Sequence, residues 1–588
     1  MVKITERLSL IFCLFICVCC SQKISSQGTA KTESQKTNEP VHGSRIAWDY
    51  TTLRKVSSSE TGARYNGYAR VVQLQDKSLL SVYEASGTVV AVKSHDLGNS
   101  WSSPVVVAAK PEHYNNANPD LLELQDKSIL VCYNPRPGKI DPSRKFEIRT
   151  KKSYDGGATW VEEKLLYQAG HEFENGCWEP AAIQLPNGEV QLFFANEGPY
   201  TFSEEQNISM LRSSDNGLTW TKKPENISFR AGSRDGMPSP LLLQNKKEIV
   251  VAIEDNGVEQ FKPYVVRTTL SDNWKNTVTG NSSRRNYALA ERVGDSIYAG
   301  APYIRQLKNG ETILSYQGTE GRKNHMNTSE MKVVIGNDQA RNFSRKTSPF
   351  PIPENTSGLW NSLCVLEDNT VVALTTTRGF SKNGTTEVWM IKGRVVPEVA
   401  AQKQTITVDG AQSEAVWSEQ FPVFVGHKSA TQLTSQVVHD DKYLYVLNFV
   451  KDSSIVHSAQ NPEEGDGVMV QLDPANKSYT RPDGEVYSFF LSVDGSLVMK
   501  RGQEGQWVKA NDTEVNQVKA ISKATDAGYV QEIAIPWTLL GGKPTNDARI
   551  GLNVQLTEST GQGRVKYRES ISANHADKPY TWLTLRLK

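Results

Sequence analysis

The sequence predicts an all-β chain, a six-bladed β-propeller followed by a β-sandwich, and three observations predict it. A strand-turn-strand unit recurs, and aligning the copies on the Leu before each polar turn gives Arg70–Leu74, Pro119–Leu124, Pro180–Leu185, Pro238–Leu243, Pro302–Leu307 and Asn361–Leu366. A self-similar all-β unit of about 40 to 60 residues is one propeller blade. The spacing S-x-D-x-G-x-[ST]-W appears at Ser94–Trp101, Ser153–Trp160 and Ser213–Trp220, with a remnant at Ser271-Asp272-Asn273-Trp274. Past Val396 both patterns stop and different strand phrases begin.

Taken in order, the chain opens with Lys3 and Arg7 before an apolar run from Leu8 to Val18, too short to span a bilayer as a stable helix and read as an export signal. Cys19 and Cys20 close it, and a polar tail with almost nothing to bury follows. The pattern is similar to a bacterial lipoprotein signal, in which a Cys becomes the acylated first residue; a plain secretory signal is the other reading. We therefore expect a signal over residues 1–20 and a flexible tether over 21–42. Residues 43–396 hold the propeller, and Ser44–Val56 is expected to supply the outer strand that closes the last blade. A linker is expected over 397–404 and the sandwich over 405–588.

Four of the seven Cys lie in the signal, leaving Cys132, Cys177 and Cys364, which have neither a disulfide framework nor metal-ligand spacing and suit small core positions. The formal net charge of +1, from 66 basic and 65 acidic residues, excludes a basic nucleic-acid surface. The expected partner is an oligosaccharide or polysaccharide, with a membrane involved only through the lipid anchor.

The S-x-D-x-G-x-[ST]-W element is the Asp box of the sialidase-like propellers. Its residues read as structural: Asp binds turn N–H groups, Gly supplies a positive φ and Trp wedges between sheets. The phrases ITVDGAQSEAVWSEQ, DDKYLYVLNFV and GYVQEIAIPW resemble, in order, the family 9 carbohydrate-binding modules. A fold does not fix a function, so a sandwich that binds sugar and one that only packs on the propeller both stand.

Innermost strands line a propeller's channel, so residues at their starts converge. The aligned starts give Arg70, Asn118, Asp120, Trp178, Glu179, Asp235, Met237, Tyr303, Arg305, Trp360 and Asn361, an acidic and polar set interleaved with aromatics as a glycan site requires. Glycoside hydrolysis needs two carboxyl groups. Glu179 begins one inner strand, and Glu254 ends the apolar run VVAIE where it has no packing reason to be. Arg70 and Arg305 suit sugar hydroxyls or a uronate, or else pairing with channel carboxylates. Asp120 could orient Arg70, meet a hydroxyl or cap its strand. Trp178 and Trp360 could stack on a sugar or fill blade interfaces, and Gln317 and Asn361 are hydroxyl ligands by position.

The stretch at Arg70 resembles the first arginine motif of sialidases, but Trp360-Asn361-Ser362-Leu363 stands where their nucleophilic Tyr is expected, and an indole cannot replace it. The stretches WEP…LPNGEVQLFF and DGMPSPLLL…AIE resemble those that hold the catalytic glutamates of the exo-α-1,5-L-arabinanases, glycoside hydrolase family 93. That resemblance implies a retaining exo-hydrolase of α-L-arabinan with Glu179 and Glu254 as the catalytic pair, their carboxyl groups about 5 to 5.5 Å apart, and no cofactor or metal. The rivals are a glycosidase of sialic or uronic acids, with Arg70, Arg305 and Arg267 clamping a carboxylate, and a non-catalytic glycan-binding propeller.

Overall fold

The computed structural model describes residues 43–588 except 420–422, 427–430, 459, 561–564 and 571–575; the expected signal and tether lie outside the described residues. Strand alternation around tight polar turns builds antiparallel sheets that pack face to face in a ring. Blade 1 is Asn66–Gln73, Leu79–Ala85, Thr88–Ser94 and Val105–Ala108. The inner strands of blades 2 to 6 are Tyr114–Glu123, Cys177–Gln184, Asp235–Leu242, Ala299–Gln306 and Leu359–Val365. They touch one another in cyclic order, the last returning to the first. Blade 6 is completed from the N-terminal side as expected: Gly43–Lys55 pairs antiparallel with Glu387–Lys403, burying Ile46 and Trp48 in the last blade's core.

The Asp-box turns do what their residue types require. Asp155 Oδ1 accepts from Thr159 N–H at 2.9 Å and Asp215 Oδ1 from Thr219 N–H at 2.8 Å, while the turn glycines Gly157 and Gly217 sit at φ 95° and 82°. These hydrogen bonds hold the Asp215 carboxyl down at about 2, below the ordinary range, against the opposing effect of its burial. The box tryptophans are wedges: Trp101 packs where blades 6 and 1 meet, Trp160 between blades 1 and 2, and Trp220 between blades 2 and 3.

Every inner strand carries the same irregularity. A register shift interrupts each pairing with the second strand, between Gly67/Arg70, Ala117/Asp120, Trp178/Ala181, Gly236/Ser239, Gly300/Tyr303 and Leu359/Ser362. At each shift one residue, Tyr68, Asn118, Glu179, Met237, Ala301 or Trp360, takes a left-handed φ of 47° to 53°. For a non-glycine residue this costs about 1–2 kcal/mol. These are β-bulges, which leave one residue unpaired and re-aim its side chain. Proline follows the bulge in four blades, at Pro119, Pro180, Pro238 and Pro302, where a missing N–H is tolerated.

The sandwich has two sheets around a core that includes Leu444, Val446, Val470, Phe489, Ile533, Leu552 and Val554. One sheet holds Gln432–His439, Tyr443–Lys451, Gly528–Pro536 and Lys519–Thr525, and the other Leu497–Gln503, Tyr487–Ser492, Gly467–Asp473, Arg549–Ser559 and Leu583–Leu587. The linker expected over 397–404 is corrected through residue 403, which ends the 17-residue strand Glu387–Lys403 running out of blade 6. Its second half pairs in parallel with both sandwich sheets, through Glu398–Ala401 and through Gln402 and Lys403. Alternating apolar residues (Val395, Val399, Ala401) continue the strand where PEVAAQKQ reads as a break.

Candidate active site

The bulges decide which side chains reach the channel. Tyr68, Met237 and Ala301 form one buried cluster against Trp360, and Tyr68, Asn118, Glu179 and Trp360 line one cavity, so the six bulge residues make the upper ring of the channel. Two residues further along each strand lies a second tier that includes Arg70, Asp120 and Tyr303. The Arg70 guanidinium stacks over Tyr68 at 4.0 Å and Tyr303 at 4.8 Å, and donates to the carbonyls of Ala69 at 3.0 Å and Trp360 at 3.3 Å. Arg305 stacks on Tyr303 at 4.2 Å and bonds its hydroxyl. Asp120 is enclosed between these cations, its Oδ2 accepting from Ala182 N–H at 3.3 Å and its Oδ1 without a partner; burial raises its carboxyl while Arg70 and Arg305 oppose the rise. This tier is the floor of the site.

Glu179 is surrounded by protein yet keeps 17 % of its side chain open to the channel. Burial pushes its carboxyl up to about 7; Arg136, 3.9 Å away, opposes the rise, and the charges of Glu254 and Glu197 add to it. Glu254 lies on the second strand of blade 4, Glu248–Asp255, directly opposite Gly236. A Cβ at Gly236 would stand 3.0 Å from its Oε1 and one at Gly300 2.6 Å from its Oε2, so two glycines on neighbouring blades make the slot that admits the carboxylate. Ala301 N–H donates to Oε2 at 2.8 Å. Burial raises this carboxyl too, to about 7, against that hydrogen bond and the charge of Arg234. Arg234, ion-paired to Glu197, acts on both glutamates. The arrangement gives two partly accessible carboxyl groups on neighbouring blades, with the charge of Glu254 adding to the rise of Glu179.

Of the other nominated residues, Trp360 is partly open on the cavity, 6.1 Å from Tyr68. Trp178 is buried, its ring 4.7 Å from both Phe146 and Phe173 and its Nε1 donating to Glu197 at 2.7 Å, so it fills the blade interface. Asp235 is corrected from channel ligand to internal tie: it is fully buried and both its oxygens receive Arg285, at 2.8 and 2.6 Å. Asn361 is likewise turned inward, donating to Gly358 O at 3.2 Å. Gln317 is fully buried, donating to the Tyr298 hydroxyl at 2.7 Å and accepting from Trp360 N–H at 2.9 Å, so it braces the wall. Arg267 belongs to no clamp; its guanidinium donates to the carbonyls of Gln339 and Ala340.

Sequence reasoning missed Tyr68, Glu84, Arg136, Arg234 and Tyr298. Glu84 had a signal: SLLSVYE ends its strand as EIVVAIE does at Glu254. Arg136 lies at the entry to a loop without recognisable pattern.

Residues 137–277 match a model described as a BNR repeat-like domain, and residues 406–588 one described as carbohydrate family 9 binding domain-like. The endo-1,4-beta-xylanase A of Thermoanaerobacterium saccharolyticum is 31 % identical over 165 residues, covering 27 % of this chain and 13 % of that protein, so this chain spans only a small part of its curated relative. Among solved structures, the family 93 α-L-arabinofuranosidase of Fusarium graminearum with arabinobiose is 18 % identical, covering 60 % of this chain and 98 % of that one at a TM-score of 0.43. A family 9 carbohydrate-binding module of Caldicellulosiruptor kristjanssonii with cellotriose is 17 % identical, covering 32 % and 93 % at a TM-score of 0.28. The chain joins a BNR repeat-like propeller to a carbohydrate family 9 binding domain-like sandwich.

Proposed function

We propose that the protein is an exo-acting glycoside hydrolase whose catalytic pair is Glu179 and Glu254. The observation that carries this is the pair itself: two enclosed but accessible carboxyl groups at one end of the channel, each raised to about 7, the range a shared acid and base need. Glu254 is the resident carboxylate, because Ala301 N–H stabilises its anion from a fixed position. Its charge helps keep the proton on Glu179, which serves as the donor to the leaving oxygen. Attack by Glu254 on the anomeric carbon breaks the glycosidic bond as Glu179 protonates the departing oxygen; water then releases the sugar with Glu179 as base. α-L-Arabinan is the substrate to which the WEP and DGMPSP stretches point. Export as a lipoprotein acylated at Cys19 or Cys20 belongs to the same proposal, with acyl labelling of the exported chain as its check.

The carboxylate-clamp alternative has less support, since Arg70 is held by carbonyls one tier below the bulge ring, Arg305 by a carbonyl and Tyr303 a tier further along, and Arg267 is engaged elsewhere. The test is hydrolysis of linear arabinan by the wild type and by Glu179→Gln and Glu254→Gln. Loss of more than about 10³-fold in both, with azide restoring turnover in one, supports the pair and its roles. Turnover retained in either removes it.

A further inference from the structure

A third carboxyl group faces the same cavity as Glu179. Glu84 ends the second strand of blade 1 and lies directly opposite Gly67, as Glu254 lies opposite Gly236 in blade 4. The same ladder position elsewhere holds Asn134, Ala195, Gln317 and Thr376, so only two of six blades place a carboxyl there, on opposite sides of the ring. The surroundings of the two differ. Glu254 leans into the glycine slot at Gly300, whereas the matching residue beside Glu84, on blade 2, is Ala117, and Glu84 instead bonds the backbone at Gly87.

Glu84, Tyr65, Tyr68, Asn115, Asn118, Arg136, Glu179 and Trp360 enclose about 340 Å³, room for one or two sugar residues. Arg136 serves both carboxyl groups: its charge acts on Glu84 and on Glu179, its Nε donates to Asn134 at 2.8 Å and its plane covers Trp178 at 4.8 Å. The pocket's cation is therefore fixed in place beside both carboxyl groups. What the pocket offers a ligand is the Glu84 and Glu179 carboxyl groups, the Asn115 and Asn118 amides and aromatic faces, the mixed acceptor and donor set that sugar hydroxyls take.

We propose that Glu84 is a specificity residue: it accepts the hydroxyl groups of the sugar seated beside Glu179 and, set against Arg136, restricts the pocket to neutral sugars and turns acidic ones away. This rests on the proposed glycosidase reading for which sugar is processed, but its own readout is binding. A buried acceptor left without its hydroxyl partner, or a carboxylate placed against Glu84, loses affinity by 10-fold or more.

The experiment measures intrinsic tryptophan fluorescence of the mature protein and of Glu84→Gln and Glu84→Ala, titrated with arabinobiose and with D-glucuronate, alongside hydrolysis of linear arabinan. The proposal expects the wild type to bind arabinobiose in preference to glucuronate. Glu84→Ala should weaken arabinobiose by 10- to 100-fold and narrow that preference, while Glu84→Gln, which keeps an acceptor, recovers part of the loss. Arabinobiose affinity unchanged in Glu84→Ala, wild-type preference for glucuronate, or no wild-type binding of either sugar overturns it. Glu84-dependent binding without arabinan hydrolysis would keep this inference and remove the arabinanase reading; hydrolysis indifferent to Glu84 would do the reverse.

Discussion

Replacing Gly300 by Ala tests how Glu254 is held. Gly300 is outside the left-handed region, so Ala brings no backbone strain of its own. Its Cβ would stand 2.6 Å from Glu254 Oε2 and 2.6 Å from the Tyr298 hydroxyl. Non-bonded heavy atoms rest at about 3.5 Å, so the carboxylate must retreat by roughly 1 Å. That retreat breaks or stretches the hydrogen bond from Ala301 N–H, now 2.8 Å. A hydrogen bond to a charged group contributes about 1.5–3 kcal/mol, which corresponds to a rate loss of about 10- to 150-fold. The assay is kcat and KM on the substrate the wild type hydrolyses, with Tm measured in parallel and Gly294→Ala, whose nearest contact would be an ordinary 3.6 Å, as control. The account expects kcat to fall with KM and Tm little changed. A kcat within about twofold of wild type would refute the glycine slot as the device that positions Glu254.

Four further outcomes follow from the same geometry. Because both glutamates are raised to about 7, kcat/KM should fall on either side of neutrality, and Arg136→Gln, removing the charge that opposes the rise of Glu179, should move the alkaline limb upward; an unmoved limb contradicts the donor assignment. A carboxyl whose folded value is raised favours folding only while protonated, and that advantage is lost as pH rises through about 7, so Glu254→Gln should stabilise by about 2 kcal/mol at pH 8 and by almost nothing at pH 4, read from denaturant midpoints. Arg285→Ala leaves Asp235 buried without its cation, while Asp255 keeps Arg230, and should cost about 3–5 kcal/mol, whereas a channel role would change kinetics instead of the unfolding midpoint. Gly157→Ala forces a left-handed alanine whose Cβ meets Leu80 at 3.0 Å and should cost about 1–2 kcal/mol in the same unfolding assay, with kinetics unchanged.

The blade skeleton was legible because it is written in spacing: a turn after each Leu, an Asp box after the third strand of the first three blades, and apolar alternation between. Blade closure by Gly43–Lys55 was legible for the same reason, as an unpaired strand phrase before the first full copy. The channel was less so, because period-two reasoning fails at a bulge. One inserted residue reverses which neighbours face inward, so Glu179 and Trp360 reach the ring while Trp178 and Asn361 beside them point into the blades. The bulge residues share a backbone conformation but no residue type, ranging from Ala301 to Trp360, which leaves nothing for a pattern to register. Asp235 looked like a ligand because its partner Arg285 lies 50 residues away, on a three-residue strand, Arg285–Tyr287, that carries no motif. Glu84 ends the phrase SLLSVYE much as Glu254 ends EIVVAIE, but unlike Glu254 it lies in no stretch that resembles a family motif.

The most direct measurement is product analysis of the mature protein on linear arabinan, sialyllactose and a uronate-containing pectin, repeated with Glu179→Gln and Glu254→Gln. The account predicts a short neutral arabinose product that both substitutions abolish. Release of sialic acid or a uronate, or arabinose release that survives either substitution, would contradict it.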